Sequence, residues 1–513
     1  MKYFINKFSI IILCFVLMLN YACDLNIEPQ RPNIIYILAD DLGYGEIGVF
    51  GQKLIETPNI DNLAKSGMIF TDHYSGAPVC APARSVLLTG NHSGNTHIRA
   101  NGEWSERGNV WSFKAMLEDP YLEGQRPLLD SITTVAQVLH DNGYKTGMVG
   151  KWGLGAPLTN SIPNKKGFDF FYGYNCQRQA HTYYPTHLWK NETRDLLDNY
   201  IVTKQEGLDG LDPNEPESYS KYNQNDYAPT LMHKEALNFI SRNQSAPFFL
   251  YYASPIPHLP LQAPKKWVNY YQKKFGKEIP YIGKSYYPNK TPRATYAAMI
   301  SYLDEQVGEL IEKLKEVNQY ENTLIIFTSD NGPSWVDHVD YKFFNSTGKF
   351  VNSRRTMKGS VSEGGIRVPM IASWPNKIKA GSKSNHISAF YDFFETALDV
   401  ANIKIPFPTD GISFYPTLIG ADQNQHDYLY WERSQSQAIR KGDMKANFVY
   451  DKASQKQNIE IYNLAQDPFE KNNLAETLPE LKAEFVKLAQ TARVESEIFP
   501  LVKKAKKVKV KTH

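Results

Sequence analysis

The chain has 513 residues, of which 42% are hydrophobic and 22% are charged, and its formal net charge is +3. This balance describes a globular protein of one large or two unequal domains, and it excludes a protein that relies on a strongly basic composition to bind polyanions. We therefore expect no nucleic acid among its partners.

The N-terminus has the pattern of an export signal. Two lysines precede an apolar run over residues 8–19, which is too short to span a membrane comfortably. The run leads to Ala22 and Cys23 in a sequence that resembles a bacterial lipoprotein box, so that Cys23 is a candidate for lipidation and a membrane anchor. Plain cleavage after Ala22 is the alternative. We expect residues 1–22 to be a signal peptide and the protein to be exported, either to the periplasm or as an outer-membrane lipoprotein.

The cysteines are too few for a disulfide framework. Of the four in the chain, Cys14 and Cys23 lie in or beside the predicted signal peptide, which leaves Cys80 and Cys176. A chain of this length can bury a large core without disulfides, so a free Cys80 is available for chemistry.

Helices and apolar strands alternate along most of the chain. Strands are predicted over residues 33–39, 144–149, 247–253, 323–328 and 369–374, and helices over residues 57–67, 132–140, 231–240, 293–317 and 387–401. Such alternation is typical of an α/β fold with a mostly parallel sheet that is flanked by helices.

The pattern changes near the C-terminus. Short strands over residues 428–431, 437–440 and 459–462 and a helix over residues 480–492 indicate a small antiparallel sheet with a helix packed on it. The predicted domains are a main domain over residues 31–405, a C-terminal α+β subdomain over residues 406–500 and a solvated basic tail over residues 501–513.

Four of the predicted strands lead into polar residues that are useful for chemistry, namely Asp40, Asp41, Lys151, His258, Asp330 and Asn331. Ligands of open α/β sheets bind at the carboxyl ends of the strands, so these groups should meet at one edge. Carboxylate and amide oxygens favour Ca²⁺ or Mg²⁺ over Zn²⁺. A metal site is therefore predicted, although acidic pairs at strand ends are often merely solvated.

Residues 75–90 place Cys80 beside a helix. Pro82 suits the first helical position and Gly90 the end, so Cys80 is predicted just outside the helix N-terminus. The unpaired N–H groups and the helix dipole favour an anion there, with Arg84 facing it. An ordinary buried cysteine is the alternative.

The sequence Cys-Ala-Pro-Ala-Arg at residues 80–84, followed by Leu-Thr-Gly at residues 88–90, resembles the signature of the type I sulfatases. The pairing of Asp40 and Asp41 with Ser-Asp-Asn-Gly at residues 329–332 resembles the metal site of that family. The resemblance implies an alkaline-phosphatase-like fold, a Ca²⁺ ion in preference to Mg²⁺, and a maturation enzyme that oxidises Cys80 to formylglycine.

The resemblance also implies a role for each residue. The hydrated formylglycine at position 80 would bind the metal together with Asp40, Asp41, Asp330 and Asn331, and it would attack sulfur. Arg84 would belong to the catalytic set, Lys151 and Lys358 would bind sulfate, and His258 would protonate the leaving alcohol. Taken singly, such lysines are more often solvated and such a histidine is more often an ordinary loop residue.

One position departs from the family pattern. The family commonly has a histidine, which helps to release sulfate, where this chain has Gly153. On position alone, His97 is a candidate to replace it.

Residues 176–185 follow the Lys151 strand and combine aromatic side chains with amide, guanidinium and imidazole groups that suit sugar binding. In carbohydrate sulfatases that resemble this chain, such loops often recognise the hydroxyl that distinguishes galactose from glucose. The resemblance implies a galactose or N-acetylgalactosamine sulfate within a glycan, with His181 as the selecting residue. The alternative is a loop that only packs, with His181 bonded to the backbone.

Two other functions remain open at this point. A phosphatase or phosphodiesterase of the related alkaline phosphatase superfamily would share the sheet and the metal ligands, although a Ser or Thr nucleophile would favour it more than Cys80 does. A non-catalytic glycan-binding lipoprotein would keep Cys80 unmodified.

Overall fold

The computed structural model describes residues 31–202, 207–451, 454 and 456–501. The predicted signal peptide, Cys23 and nearly all of the predicted basic tail lie outside these residues. Within them, no helix combines the length and the apolar character that a membrane span requires.

The strands are, in chain order, β1 (Asn33–Ala39), β2 (Met68–Phe70), β3 (His73–Tyr74), β4 (Lys145–Lys151), β5 (Phe170–Tyr174), β6 (His187–Lys190), β7 (Thr193–Leu196), β8 (Phe248–Ala253), β9 (Thr323–Ser329), β10 (Met370–Ser373), β11 (Ser382–Ser384), β12 (Ser388–Ala389), β13 (Leu429–Arg433), β14 (Ser436–Lys441), β15 (Met444–Asp451) and β16 (Lys456–Asn463). The α-helices are α1 (Pro58–Lys65), α2 (Cys80–Thr89), α3 (Phe113–Glu118), α4 (Val135–Asp141), α5 (Ala228–Arg242), α6 (Lys265–Phe275), α7 (Pro292–Glu316), α8 (Tyr341–Phe344), α9 (Glu363–Ile366), α10 (Asp392–Val400), α11 (Tyr415–Ile419) and α12 (Pro479–Thr491).

Among the described residues, ten strands form one mixed sheet in the order β11-β2-β10-β9-β1-β8-β4-β5-β6-β7. The central strands β9, β1, β8, β4 and β5 are mutually parallel, whereas β10, β6 and β7 join antiparallel to their neighbours. The predicted mostly parallel α/β fold is confirmed, and it is the alkaline-phosphatase-like fold.

The two faces of the sheet are both buried, and β1 shows why its sequence is apolar throughout. Ile34, Tyr36 and Leu38 pack into the core beneath α2, α4 and α10. Ile35 and Ile37 point to the opposite face and pack beneath α1, α5 and α7. A strand covered by helices on both sides needs apolar residues at every position, because successive side chains alternate between the faces.

The C-terminal strands β13 to β16 form a separate antiparallel sheet, on which α12 packs through Phe485 and Ala489. Trp431 of this sheet is fully buried, and its Nε1 donates a hydrogen bond of 2.8 Å to the Ser75 carbonyl in the loop before α2. The predicted small antiparallel sheet is therefore confirmed, while the domain boundaries at residues 405 and 406 stay a prediction.

A second contact to the C-terminal sheet is a set of ion pairs, which we name the joining cluster: Asp72, Glu363, Arg367, Arg440, Lys445 and Glu470. The Lys445 Nζ lies 2.9 Å from Glu363 and 3.0 Å from Glu470. Arg367 contacts both Glu363 and Asp72. The cluster thus connects β14 and β15 with residues beside the main sheet.

Some helices begin later than their sequence pattern predicts. The helix predicted from residue 132 begins at Val135, because the Thr134 side chain accepts the Gln137 N–H and caps it. The helix predicted from residue 387 begins at Asp392, because Ser388 and Ala389 pair with β3 instead.

Candidate active site

The four strands that lead into polar residues are adjacent in the sheet, in the order β9-β1-β8-β4. The ladder continues past the strand ends, since the Asp40 N–H donates to the Ile256 carbonyl and the Asp330 N–H to the Ala39 carbonyl. The structure therefore brings together Asp40, Asp41, Lys151, His258, Asp330 and Asn331.

Asp41 turns the chain out of β1 with a left-handed backbone conformation, at φ 69°. Its N–H donates to Asp330 Oδ1 at 3.1 Å, and the Leu42 N–H donates to Ser329 Oγ at 2.9 Å. Aspartate adopts this conformation more readily than most residues. The turn places the Asp40 and Asp41 side chains within reach of the same atoms.

Cys80 is the first residue of α2, whereas the sequence pattern predicts that it lies just outside the helix. Val79 takes the extended conformation that precedes the helix, and Pro82 lies in the first turn, where a missing N–H costs nothing. The Cys80 Sγ lies 3.4 Å from Asp40 Oδ1 and 3.9 Å from Asp41 Oδ1. Burial, together with Asp330 and Asp40, raises the pKa of the Cys80 thiol well above its ordinary value, so the thiol stays protonated.

Arg84 is fully buried and is bound by protein groups. Its Nη2 lies 2.9 Å from Asp330 Oδ2 and 3.4 Å from Asp40 Oδ2, while its Nη1 donates to the Lys151 carbonyl at 2.6 Å. Instead of facing an open anion site, Arg84 fixes two of the carboxylates relative to the end of β4.

Two lysines contact the pair of aspartates that follows β1. The Lys151 Nζ lies 2.5 Å from Asp40 Oδ2, and the Lys358 Nζ lies 2.6 Å from Asp41. Burial alone would raise the pKa of the Asp40 carboxyl, but the neighbouring cations, led by Lys151, hold it well below its ordinary value. Asp40 is therefore a carboxylate at neutral pH.

His258 directs one of its two ring nitrogens at the aspartate pair that follows β1. Its Nδ1 donates to the Leu259 carbonyl at 2.6 Å, so its Nε2 is the nitrogen directed at Asp41 Oδ2, 3.8 Å away. Burial and the nearby Lys358 lower the pKa of His258 well below its ordinary value. The imidazole is thus neutral until a negative charge arrives.

The donor atoms also fit a metal ion. Ligand atoms of Asp40, Asp41, Cys80 and His258 all lie within 4.8 Å of one another. The Asn331 Nδ2 donates to Asp41 Oδ1 at 2.8 Å, whereas its Oδ1 is buried without a hydrogen-bond partner among the described residues. A buried oxygen with no donor is the kind of atom that a cation satisfies. His258, which was predicted to meet the metal ligands at this edge but not to be one of them, belongs to this group, whereas Asp330, a predicted ligand, lies outside it and binds Arg84 through its Oδ2.

The loop over residues 176–185 packs against His258 and the residues that follow β8. The His181 ring stacks on the His258 ring, with centroids 5.2 Å apart and planes 11° apart. Tyr286 lies edge-on to His181 at 5.8 Å. The Tyr183 hydroxyl bonds to the carbonyls of Pro255 and His258 and so ties the loop to the end of β8. Sequence reasoning missed Tyr286, because no motif surrounds it.

At Gly153, where the family commonly has a histidine, the side chains of Gln125 and Gln177 occupy the neighbouring space. Gly153 has φ 76°, and a Cβ there would lie 3.0 Å from Gln125 Oε1 and 3.1 Å from Gln177 Cγ. His97 is half-buried elsewhere, where burial and then Arg126 lower its pKa. The described residues show no hydrogen bond between His97 and Cys80.

Comparisons with known proteins agree with this geometry. The family described as Sulfatase matches residues 32–403, and the family described as N-sulphoglucosamine sulphohydrolase, C-terminal, matches residues 351–493. Human N-acetylgalactosamine-6-sulfatase is 31% identical over 82% of this chain and 72% of its own length. Human arylsulfatase A is 30% identical over 87% of this chain and 83% of its own length.

Solved structures show the same fold. Ps i-CgsB in complex with k-i-k-neocarrahexaose superposes with a TM-score of 0.68 at 29% identity, covering 90% of this chain and 93% of that one. The phosphonate monoester hydrolase of Agrobacterium radiobacter superposes with a TM-score of 0.59 at 19% identity, covering 93% of this chain and 100% of that one. The latter likeness concerns the fold alone.

Proposed function

The chain belongs to the sulfatase family and is a sulfuric ester hydrolase, and we propose that it cleaves a carbohydrate sulfate with a formylglycine made from Cys80 and a bound Ca²⁺ ion. The observation that carries the proposal is the position of Cys80 between Asp40 and Asp41, where the thiol is held protonated. A protonated thiol is a poor nucleophile. Oxidation to the aldehyde by a maturation enzyme, followed by hydration, would put a hydroxyl at the same place.

Asp40, Asp41, Asn331 and Asp330 would hold the Ca²⁺ ion, together with an oxygen at position 80. An ion bound there supplies positive charge that neutralises the ester sulfate and lowers the pKa of a nearby hydroxyl. The unpartnered Asn331 Oδ1 supports this assignment. The thiol and imidazole of Cys80 and His258 would suit Zn²⁺ better, but replacement of the thiol by an oxygen removes the soft ligand.

The protein side chains would then divide the remaining work. Lys151 and Lys358, which lie against Asp40 and Asp41, would bind sulfate oxygens. The Nδ1 bond to Leu259 leaves His258 Nε2 to carry a proton to the leaving alcohol oxygen. Because a bound sulfate is negative, it favours the protonated imidazole that this step needs.

The sugar is proposed to be a galactose or N-acetylgalactosamine sulfate within a glycan. His181 stacks on the proposed general acid His258 and so lies where the ring that carries the sulfate would bind. The name of the human relative, N-acetylgalactosamine-6-sulfatase, supports this choice. Rates on a panel of sulfated galactose, glucose and N-acetylhexosamine derivatives test it, and a preference for glucose derivatives would overturn it.

The nucleophile is tested by Cys80→Ser, produced in a host whose only maturation enzyme acts on cysteine. We expect the variant to fold and to lose multiple turnover, because a serine ester cannot expel sulfate by collapse to an aldehyde. Cys176→Ser, at the second of the two buried free cysteines among the described residues, is the matched control and should keep turnover. The mass of the Cys80 peptide from the active wild type must be that of the aldehyde or its hydrate, and an unmodified cysteine in fully active protein would refute the mechanism.

Export and lipidation at Cys23 are a further part of the proposal. They rest on the N-terminal sequence pattern. Fractionation of cells and labelling with a radioactive fatty acid test them, with Cys23→Ser as the variant that should lose the label. A labelled Cys23→Ser protein, or an unprocessed wild type in the cytoplasm, would contradict them.

A further inference from the structure

A cavity next to the candidate active site has an unusual lining. His181 and Tyr286 form the wall that it shares with the active site, and the rest includes Trp111, Lys114, Arg178 and Ser285. Its described lining contains a lysine and an arginine but no aspartate or glutamate. The cavity is therefore positive, and the His181 ring in its wall stacks on the ring of the proposed general acid His258.

Arg178 is the central feature of this cavity. The residue is 2% exposed, and its guanidinium Nε and Nη1 are buried without hydrogen-bond partners among the described residues. Its Nη2 contacts the Met116 Sδ at 2.8 Å, and its Cζ lies 5.0 Å above the Phe113 ring. A thioether is a weak acceptor, so the guanidinium lacks the strong partners that a buried cation needs.

Glu103 is an acid that is hydrogen-bonded to the backbone of Arg178. Its Oε1 accepts the backbone N–H of Arg178 at 3.2 Å, and no side-chain hydrogen bond joins the two residues among those described. Glu103 lines a different cavity, together with Gly153. Burial raises the pKa of Glu103 to about 7 although the Arg178 charge acts against it, so Glu103 compensates that charge only in part. The unpartnered guanidinium N–H groups can therefore still bind an anion from the side of the first cavity.

The outer part of the cavity suits a carbohydrate. Lys114 is exposed at its rim, and the Trp111 indole is 64% exposed. A large exposed aromatic ring that lies beside a polar pocket offers an apolar surface for the face of a sugar ring. The serine hydroxyl of Ser285 can bond to sugar hydroxyls.

We propose that this cavity binds a second acidic group of the substrate, a sulfate or a carboxylate, through Arg178 and Lys114, while Trp111 packs against the sugar that follows. The inference rests on the proposed function, because it assumes that the sulfate to be removed lies at Cys80. It assigns the substrate to the multiply acidic glycans, in which two anionic groups lie on the same or on adjacent sugars.

The test compares three oligosaccharides that share the scissile sulfate: one with no other acid, one with a second sulfate and one with a uronate. We expect wild-type kcat/KM to be at least about tenfold higher for an oligosaccharide with a second acid, as a charge-assisted hydrogen bond implies. The two acidic substrates show whether sulfate or carboxylate is the preferred group.

Two variants locate the effect. Lys114→Ala, at an exposed position, should reduce the preference to about threefold, and Arg178→Met, which keeps the bulk of the side chain, should abolish it. Thermal unfolding shows whether Arg178→Met is folded, and Lys114→Ala keeps the test valid if it is not. Lys284→Ala, at an exposed lysine that lines the neighbouring cavity, is the control and should keep the preference.

The outcomes separate the two proposals. Equal wild-type kcat/KM on all three oligosaccharides, or a preference that survives in Lys114→Ala and folded Arg178→Met, would overturn the second-acid site and leave the sulfatase proposal intact. No hydrolysis of any sulfate ester would instead refute the proposed function. In that case calorimetric binding of the same oligosaccharides still tests the cavity, and equal affinities would overturn it.

Discussion

The protein buries two clusters of ion pairs that contain equal numbers of acids and bases. The active-site cluster consists of Asp40, Asp41, Asp330, Arg84, Lys151 and Lys358, and the joining cluster consists of Asp72, Glu363, Glu470, Arg367, Arg440 and Lys445. Both lie in or beside the core. They differ in how the oxygen atoms are satisfied.

In the joining cluster every carboxylate oxygen has a strong donor. Glu363 is bound by Lys445, Arg367 and the Tyr74 hydroxyl, and Glu470 by Lys445, the Asn447 amide and the Glu363 N–H. Arg367 and Arg440 each bind one oxygen of Asp72. Such a set of bonds holds elements together and leaves no carboxylate oxygen for a ligand, although the Asn447 Oδ1 beside it has no hydrogen-bond partner among the described residues.

The active-site cluster leaves oxygens unsatisfied. Its three acids come from the ends of two adjacent strands, and Asp40 Oδ1 receives only the weak thiol donor of Cys80 among the described residues. The Asn331 Oδ1, which lies beside these acids, also has no hydrogen-bond partner among the described residues. Buried charge alone does not indicate a site; buried acids whose own oxygens lack strong donors do.

Removal of the metal should show the difference between the active-site cluster and the joining cluster most clearly. Exhaustive chelation should abolish sulfatase activity and lower the Tm, because an ion that binds the folded protein and not the unfolded chain stabilises the folded state. Ca²⁺ should restore both better than Zn²⁺. Activity assays and calorimetry measure this, and full activity in the chelated protein would remove the ion from the site.

Asp41→Asn should act on activity and not on folding. We expect kcat to fall by at least about 10³, because a metal ligand and its charge are lost. The Tm in chelator should stay close to that of the wild type, since relief of the repulsion from Asp40 and Asp330 offsets the lost ion pair with Lys358, whose side chain is 18% exposed. Asparagine also tolerates the left-handed backbone of residue 41. A variant that keeps most of its kcat, or that unfolds, would contradict this assignment.

Glu363→Gln should have the opposite effect. Removal of one charge leaves Lys445 and Arg367 buried without their partner, and breaking a buried pair of this kind costs about 3–5 kcal/mol of unfolding free energy. Urea denaturation measures the loss. The kcat per folded molecule should stay within about twofold of the wild-type value, because Glu363 does not contact the active-site cluster. A stable variant with low kcat would reverse the distinction between the clusters.

His181→Ala should have the smallest of these effects, because it acts at the entrance to the active-site cluster. A site that hydrogen-bonds a hydroxyl loses about two orders of magnitude in kcat/KM when that bond is removed, so we expect this loss on the preferred sugar sulfate. A small aryl sulfate, if it is hydrolysed, should be spared. Equal losses on both substrates, or no loss on either, would show that His181 does not select the sugar.

Much of the active-site cluster could be predicted from the sequence, because long apolar runs that end abruptly in Asp40, Lys151 or Asp330 define both the strand and its edge. The start of α2 could not, since Pro82 is accepted at several positions of a first turn and only the extended Val79 decides between them. The fifth central strand, Phe170–Tyr174, was missed because it is short and contains a glycine. The cavity around Arg178 depends on Trp111 and Tyr286, which are distant in the chain and carry no periodic signal.

Trp431 has a consequence for how the molecule responds to its ligands. Its indole bonds to the Ser75 carbonyl, the Ser75 hydroxyl bonds to the Asp330 carbonyl at 2.5 Å, and Asp330 is held by Arg84. Binding energy released at the strand ends is therefore shared, by thermodynamic linkage, with β13 of the C-terminal sheet. Amide protons of Leu429–Arg433 should exchange with solvent more slowly once the ion and the sulfate are bound, which makes this strand a reporter of occupancy at a site that it does not line.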